Sequence, residues 1–305
     1  MITGFLFPGQ GSQKPGMLHD LVHYAAIDES LNEISEALGF DVRVLDTLQA
    51  LKSTVSSQLA LLAAGVATAR ALQRCGVQPL AVVGLSVGAF AAAVVAESIS
   101  LVDAAHLVRS RGERMEAMYP IGYGLAAIVG LKESQVTQIV HAVHSEDKPV
   151  FVANINGTKQ IVVSGSIAGI NEVLQKALAL GARKAELLDV PVPSHCPLLQ
   201  PIADQLQDQL RSMTVHDPQA IYISNVNARA VRTAQGVAND LADNIAHGVR
   251  WHDATSVAQE LGCELFLELP PGHVLSDLAN ENLLNIQAHA VTPSNLNRIL
   301  QLAKS

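Results

Sequence analysis

An α/β fold built on a parallel sheet is what this sequence predicts, and three observations predict it. Short apolar runs alternate with longer helix-like segments through most of the 305 residues. One such run, Leu80-Ala81-Val82-Val83, leads into Gly84-Leu85-Ser86-Val87-Gly88 and then a helical run over 89–97. That order is the strand, tight turn and helix of a nucleophile elbow. A different rhythm, β-α-β-β-α-β, interrupts the middle of the chain and matches a split βαβ unit.

Residues 2–7 read as a buried strand, broken by Pro8-Gly9-Gln10-Gly11-Ser12-Gln13. This Gly-rich loop lacks the Gly-Lys-Ser/Thr ending of a phosphate loop, and a plain β-to-α turn fits its spacing equally well. Residues 21–38 are broadly helical. Ser53 caps a helix over 55–73 that carries almost no charge and so packs against the sheet. Cys75-Gly76 ends it. After the Ser86 helix, Ser100 with Asp103 opens a helix over 101–118 that bears Arg109, Arg111 and Arg114. Arg109 and Arg111 lie about 200° apart around that helix, whereas Arg111 and Arg114 share a face.

Tyr119-Pro120-Ile121-Gly122-Tyr123-Gly124 is a break. Strand 125–131, helix 133–144, strands 149–154 and 160–164 around an Asn156-Gly157 turn, helix 168–180 and strand 185–190 follow. Pro191 to Pro197 form a stiff linker. Helix 198–211, strand 221–224, helices 237–246 and 252–261 and strand 264–269 complete the reading. The expected architecture is an α/β-hydrolase-like core at 1–121 and 191–305, with a ferredoxin-like insertion at 122–190.

Composition narrows the function. A net charge of −8 argues against non-specific nucleic-acid binding. The sequence shows neither a signal-peptide pattern nor an unbroken apolar stretch of membrane-spanning length, so a cytoplasmic setting away from membranes is expected. Cys75, Cys196 and Cys263 are too widely spaced for a disulfide framework or a zinc site. His19 and His23 have helical i, i+4 spacing, but no third ligand is nearby, so no metal is assigned.

A serine nucleophile needs a base. Among 11 histidines, His195 has the best local setting, with Ser194 before it and prolines on both sides. His273, His247 and His252 are the other candidates. No carboxylate stands out as a third member. A histidine followed by more than a hundred residues departs from the usual hydrolase order.

Four stretches then resemble one family, the malonyl-CoA:acyl carrier protein transacylases: Phe7-Pro8-Gly9-Gln10-Gly11-Ser12-Gln13, Gly84-Leu85-Ser86-Val87-Gly88, Arg111-Gly112, and Val192-Pro193-Ser194-His195-Cys196. The resemblance covers essentially the whole chain. It implies Ser86 as nucleophile and His195 as its base. It implies an oxyanion hole from the N–H groups of Gln10 and Val87, and Arg111 as the binder of the malonyl carboxylate. A backbone carbonyl orients the base in this family, and Asn244 stands where the family has Gln.

The elbow is Gly-Leu-Ser-Val-Gly-Ala rather than Gly-His-Ser-Leu-Gly-Glu. With Tyr119-Pro120-Ile121-Gly122-Tyr123-Gly124, Val249-Arg250-Trp251-His252-Asp253-Ala254 and Pro270-Pro271-Gly272-His273-Val274-Leu275, this looks more like the malonate decarboxylase epsilon subunit. The implied reaction needs no bound cofactor. Malonyl-CoA is the substrate, and the acceptor is the phosphopantetheine-type arm of an acyl carrier protein, foremost the malonate decarboxylase carrier. The alternatives are a transacylase of fatty-acid or polyketide synthesis, a serine hydrolase of acyl thioesters, and a non-catalytic acyl-binding subunit.

Overall fold

The computed structural model describes residues 1–119 and 121–304; Pro120 and Ser305, which the sequence reading placed in the 119–124 break and at the end of the core, lie outside the described residues. The first stretch gives β1 (Thr3–Phe7), α1 (Ala25–Leu38), α2 (Thr54–Arg74), β2 (Pro79–Gly84), α3 (Gly88–Val95) and α4 (Leu101–Met118). The middle gives β3 (Tyr123–Val129), α5 (Glu133–Val143), β4 (Val150–Gly157), β5 (Gln160–Ser166), α6 (Ile167–Ala179) and β6 (Lys184–Leu187). The remainder gives α7 (Gln200–Arg211), β7 (Ile221–Ile223), β8 (Ala230–Val231), α8 (Ala234–Asp243), α9 (Trp251–Glu260), β9 (Leu265–Glu268), α10 (Val274–Asn282), β10 (Gln287–Ala290) and α11 (Leu296–Lys304).

The fold is mixed α/β around a mostly parallel sheet. Its strand order is β10-β9-β1-β2-β7-β8, and only β7 with β8 is antiparallel. Side chains along a strand alternate between faces, and the core divides accordingly. Phe5, Phe7, Val82 and Leu267 join residues of α1 to α4, α7 and α8 on one side. Leu6, Val83 and Phe266 pack with Trp251 of α9 and Leu278 of α10 on the other.

Helix α2 explains its own lack of charge. Among the described residues it is the one helix long and apolar enough to cross a membrane, yet 83% of that stretch is buried within the protein. Its start is fixed as the sequence predicts, with the Ser53 hydroxyl accepting from Ser56 N; Ser100 does the same for α4.

The second sheet, β4-β5-β3-β6, is antiparallel throughout. One face carries α5 and α6, and Ala126, Ile128, Ile161 and Val163 pack with Val136, Val140, Ile170 and Val173 in a cluster of their own. The alternate residues Leu125 and Val162 belong instead to the main core. Backbone hydrogen bonds from Ile155 N to Val249 O and from Val249 N to Ala153 O, both 2.8 Å, join β4 to the segment before α9.

Several boundaries differ from expectation. The first helix begins at Ala25, not at residue 21. Asp46 accepts from Leu18 N (2.8 Å) and contacts His19 Nδ1 (3.0 Å), which holds the preceding loop outside the helix while Leu21 and Val22 still reach the core. The β4–β5 turn is Thr158-Lys159 rather than Asn156-Gly157. Pairing continues to Gly157 opposite Gln160, and Asn156 is buried. Helix α8 starts earlier than predicted because the Thr233 hydroxyl caps it at Gly236 N. Strand β6 is shorter than the predicted one, and β8, α10, β10 and α11 lie outside the predicted elements.

Candidate active site

Ser86 follows β2 and precedes α3, at the carboxyl end of the parallel sheet, where open α/β folds place their sites. Leu85 N donates to Phe7 O (2.8 Å), tying the turn to the end of β1. The crowding is severe. A Cβ on Gly88 would lie 2.2 Å from Phe7 O, and one on Gly84 would lie 2.3 Å from Ala89 N. Only glycine fits at either position. Ser86 itself has φ 56, a left-handed conformation that a non-glycine residue keeps only when its surroundings hold it.

His195 also has positive φ, 64. Its backbone N–H donates to Ile245 O (2.8 Å), and its ring spans the gap between two partners. Nε2 lies 2.8 Å from Ser86 Oγ and Nδ1 lies 2.6 Å from Asn244 O. A carbonyl only accepts, so Nδ1 carries the proton and Nε2 is left to accept one from the serine. Burial, with the Arg111 charge adding to it, pulls the imidazole down to about 4. The ring is therefore neutral near pH 7.

The Asn244 side chain makes no hydrogen bond and is fully buried. Its contribution to His195 is the backbone carbonyl, which any residue supplies. Among the described residues no carboxylate is hydrogen-bonded to His195. His273 is exposed and pairs with Asp277, and His247 bonds the Asp243 carbonyl, so neither is bonded to Ser86. The structure likewise records no hydrogen bond between His252 and Ser86.

Arg111 is the third member of the constellation. Its Nη2 donates to Ser86 Oγ (3.1 Å) and its Nη1 donates to Gln58 Oε1 (2.7 Å). It is 1% exposed, and burial pulls the guanidinium down to about 9, so it remains charged at neutral pH. Among the described residues no carboxylate pairs with it. Arg109, two positions earlier, is exposed and bound to Glu113, and Arg114 reaches Ser110 and Gln205 on the protein's surface. The expectation that Arg111 and Arg114 share a face holds only for their backbone positions. Gly112 allows the close approach of α4 and α2, since a Cβ there would lie 2.9 Å from Val55 Cα.

Val87 N and Gln10 N have no acceptor among the described residues, whereas Ser86 N donates to Asn225 Oδ1 (3.0 Å). Gln10 is held by its side chain, whose Oε1 accepts from Gln58 Nε2 (3.1 Å). The cleft over Ser86 holds a cavity of about 90 Å³, bordered on the small-sheet side by Leu125, Asn154, Asn156 and Val162. Gln58, Asn154, Asn156 and Asn225 are the residues that sequence reasoning missed. Gln58 had a readable signal, as an amide in the otherwise apolar run of α2. Asn154 and Asn156 had none without knowledge of which strand face lines the cleft, and Asn225 had none without knowledge of which loop meets Ser86. His19 is bound to Asp46, and no cluster of three or more potential metal ligands occurs among the described residues.

Residues 4–295 match the acyl transferase domain family. A malonyl CoA-acyl carrier protein transacylase of Escherichia coli K12 is 33% identical over 98% of both chains, and one of Bacillus subtilis is 31% identical over 98% of this chain and 96% of its own. The chain belongs to the malonyl CoA-acyl carrier protein transacylase family. The solved transacylase of Coxiella burnetii superposes with a TM-score of 0.95 at 30% identity, covering 100% of this chain and 98% of that one. A malonyl-transacylase solved with its type II PKS acyl-carrier protein gives 0.94 at 32% identity, covering 99% and 100%. This acyltransferase thus matches these transacylases over nearly the whole of both chains. These relatives favour the carrier-protein transacylase, stated above as the alternative, over the malonate decarboxylase branch.

Proposed function

We propose that this acyltransferase moves a malonyl group from malonyl-CoA to the thiol of an acyl carrier protein through a malonyl ester on Ser86. The observation that carries the reading is Arg111, a buried guanidinium without a carboxylate partner among the described residues, 3.1 Å from the Ser86 hydroxyl. Burying a charge is costly unless it is paired or hydrogen-bonded, and a malonyl group brings a carboxylate to that spot. The planar guanidinium suits it for two charge-assisted hydrogen bonds.

The steps follow from the geometry. Ser86 gives its proton to His195 Nε2 and its oxygen attacks the thioester carbon. Negative charge collects on the carbonyl oxygen, where Val87 N–H and Gln10 N–H would form the oxyanion hole, each donor worth about 3 kcal/mol to the transition state. As the carbon–sulfur bond breaks, His195 returns the proton to the departing CoA sulfur. The carrier thiol then reverses the sequence, in a ping-pong scheme with no metal or bound cofactor. Asn244 O keeps His195 in the tautomer this requires.

On this reading the β2–α3 turn is a nucleophile elbow. Residues 1–121 with 191–305 form an α/β-hydrolase-like core, and 122–190 are a ferredoxin-like insertion that closes over the thioester. The relatives favour a carrier of fatty-acid or polyketide synthesis over that of malonate decarboxylase, and a cytoplasmic setting accords with either. Mass spectrometry after incubation with malonyl-CoA tests the reading. Wild-type protein gains a malonyl adduct on Ser86 and Ser86→Ala gains none. An adduct surviving in Ser86→Ala overturns the assignment. Supplying the two classes of carrier in turn identifies the acceptor, and rapid CoA release with neither present favours a hydrolase.

A further inference from the structure

The residues that hold Ser86 in its left-handed conformation trace back to one buried carboxylate. Ser86 N donates to the Asn225 side chain, in the loop that follows β7. That loop closes around Asp240 of α8. Asp240 accepts from Tyr222 Oη (2.7 Å), Asn225 N (3.1 Å), Val226 N (3.2 Å) and the Ser224 hydroxyl. Two donors meet each oxygen, which fills the four lone-pair sites of a carboxylate. Asp240 is 5% exposed and has no cationic partner among the described residues. Burial pushes its carboxyl up from the ordinary range, and these four hydrogen bonds draw it back.

The same helix end also reaches the base. Asn244 N donates to the Asp240 carbonyl (3.0 Å), and the Asn244 carbonyl is the partner of His195 Nδ1. One residue therefore stands behind both members of the serine–histidine pair, without touching either.

We infer that Asp240 is a positioning residue for the acyl transfer: its carboxylate fixes the 222–226 loop, and Asn225 in that loop fixes the Ser86 backbone. This rests on the reading that Ser86 is the nucleophile. Asp240 is not a displaced triad acid, because its oxygens are occupied by the loop and none faces His195. A carboxylate is needed because a neutral amide offers one acceptor oxygen and presents N–H groups to donors. Misplacement of a nucleophile by an ångström costs about 100-fold in rate, so the loss falls on the chemical step rather than on substrate affinity.

The test uses the full chain with Asp240→Asn, Asn225→Leu and the double variant. Single-turnover malonylation at saturating malonyl-CoA is followed by quenched-flow mass spectrometry, beside KM and the thermal midpoint. Each single variant is expected to slow acylation about 10- to 100-fold, with KM changed by less than about threefold. Because Asp240 acts largely through Asn225, the double variant should fall within about threefold of the slower single. Wild-type acylation rates in a folded but less stable Asp240→Asn overturn the inference, as do losses that multiply in the double variant. Should Asp240→Asn fail to fold, Ser224→Ala decides: slower acylation at unchanged KM supports the role, and a wild-type rate overturns it. Absence of any Ser86 adduct in the wild-type protein would refute the functional reading itself, a separate outcome.

Discussion

The six-stranded sheet sends the ends of its strands into the cleft, whereas the four-stranded sheet turns a face toward it. From the first come Ser86, after β2, and the Gln10 loop, after β1. The second gives Leu125, Asn154 and Val162, spaced along β3, β4 and β5. A strand end is where the chain leaves its ladder, so backbone N–H groups are free and unusual φ values can be held. A sheet face offers only alternate side chains. On the proposed reading, the large sheet supplies reactive groups and the small sheet supplies shape. Substitutions at strand ends and in the linker should act on rate, and those on the small-sheet face should act on fit.

The largest effect is expected at His195. Replacing it with alanine removes the proton acceptor 2.8 Å from Ser86 Oγ, and acylation by malonyl-CoA should fall about 10²- to 10⁴-fold in stopped-flow or quench measurements. A loss under tenfold would assign the base elsewhere. Arg111→Ala comes next. The preference for malonyl-CoA over acetyl-CoA, as a ratio of kcat/KM, should drop about 100-fold, corresponding to several kcal/mol for an unpaired carboxylate in a partly dry site. Arg111→Lys should recover little of it, since the two-pronged geometry is lost. An unchanged ratio would remove Arg111 from specificity.

The pH dependence sharpens the electrostatic side of the comparison. His195 is held at about 4 by burial and the Arg111 charge, so the acid limb of kcat/KM for acylation should fall near pH 4 rather than 6.5. The same shift bears on stability. The unfolded chain binds the His195 proton at about 6.5 and the folded chain does not, so stability falls as pH drops from about 6.5 to about 4, by about 3 kcal/mol over the interval. His195→Gln should flatten that part of the denaturation profile. An acid limb at 6.5 in the wild-type enzyme would mean that the site is wetter than its 3% exposed histidine implies.

Much of the large sheet was legible because its motifs are local. Gly84 to Gly88 announce a crowded turn within five residues, and Ser53 and Ser100 announce helix starts within three. Ser86, His195 and Arg111 each stood out in the sequence, and the structure brings them within hydrogen-bond reach of one another, but that convergence could not be derived from spacing, since they lie on β2–α3, the linker and α4. No triad acid was read from the sequence, and Asn244 O was reachable only through the family resemblance, because a carbonyl has no side-chain signature. What stayed hidden is non-local. Asn225 matters because Ser86 N needs an acceptor, and Asp46 delays α1 from 28 residues beyond Leu18. The Asn-Gly dipeptide misled because burial of Asn156 in the cleft outweighed its turn preference.

The smallest expected effect is the most direct probe of the small sheet, because Val162 and Val163 are neighbours on opposite faces of β5. Val163 packs with the helices of its own sheet, and Val162 borders the cleft over Ser86. Val163→Ala should cost about 2 kcal/mol of stability through lost burial and an incompletely filled space, seen as a lower denaturation midpoint with unchanged acylation. Val162→Ala widens the cleft wall. It should raise KM for malonyl-CoA about two- to fivefold and improve the relative use of acyl groups branched at the α-carbon, a pocket change worth about 1 kcal/mol. If the two variants behave alike, the small sheet acts as one packed body and its cleft face has no separate role in fit. If Val163→Ala changes acyl preference while Val162→Ala does not, the face assignment of β5 is reversed, and the division between strand-end chemistry and sheet-face selection fails with it.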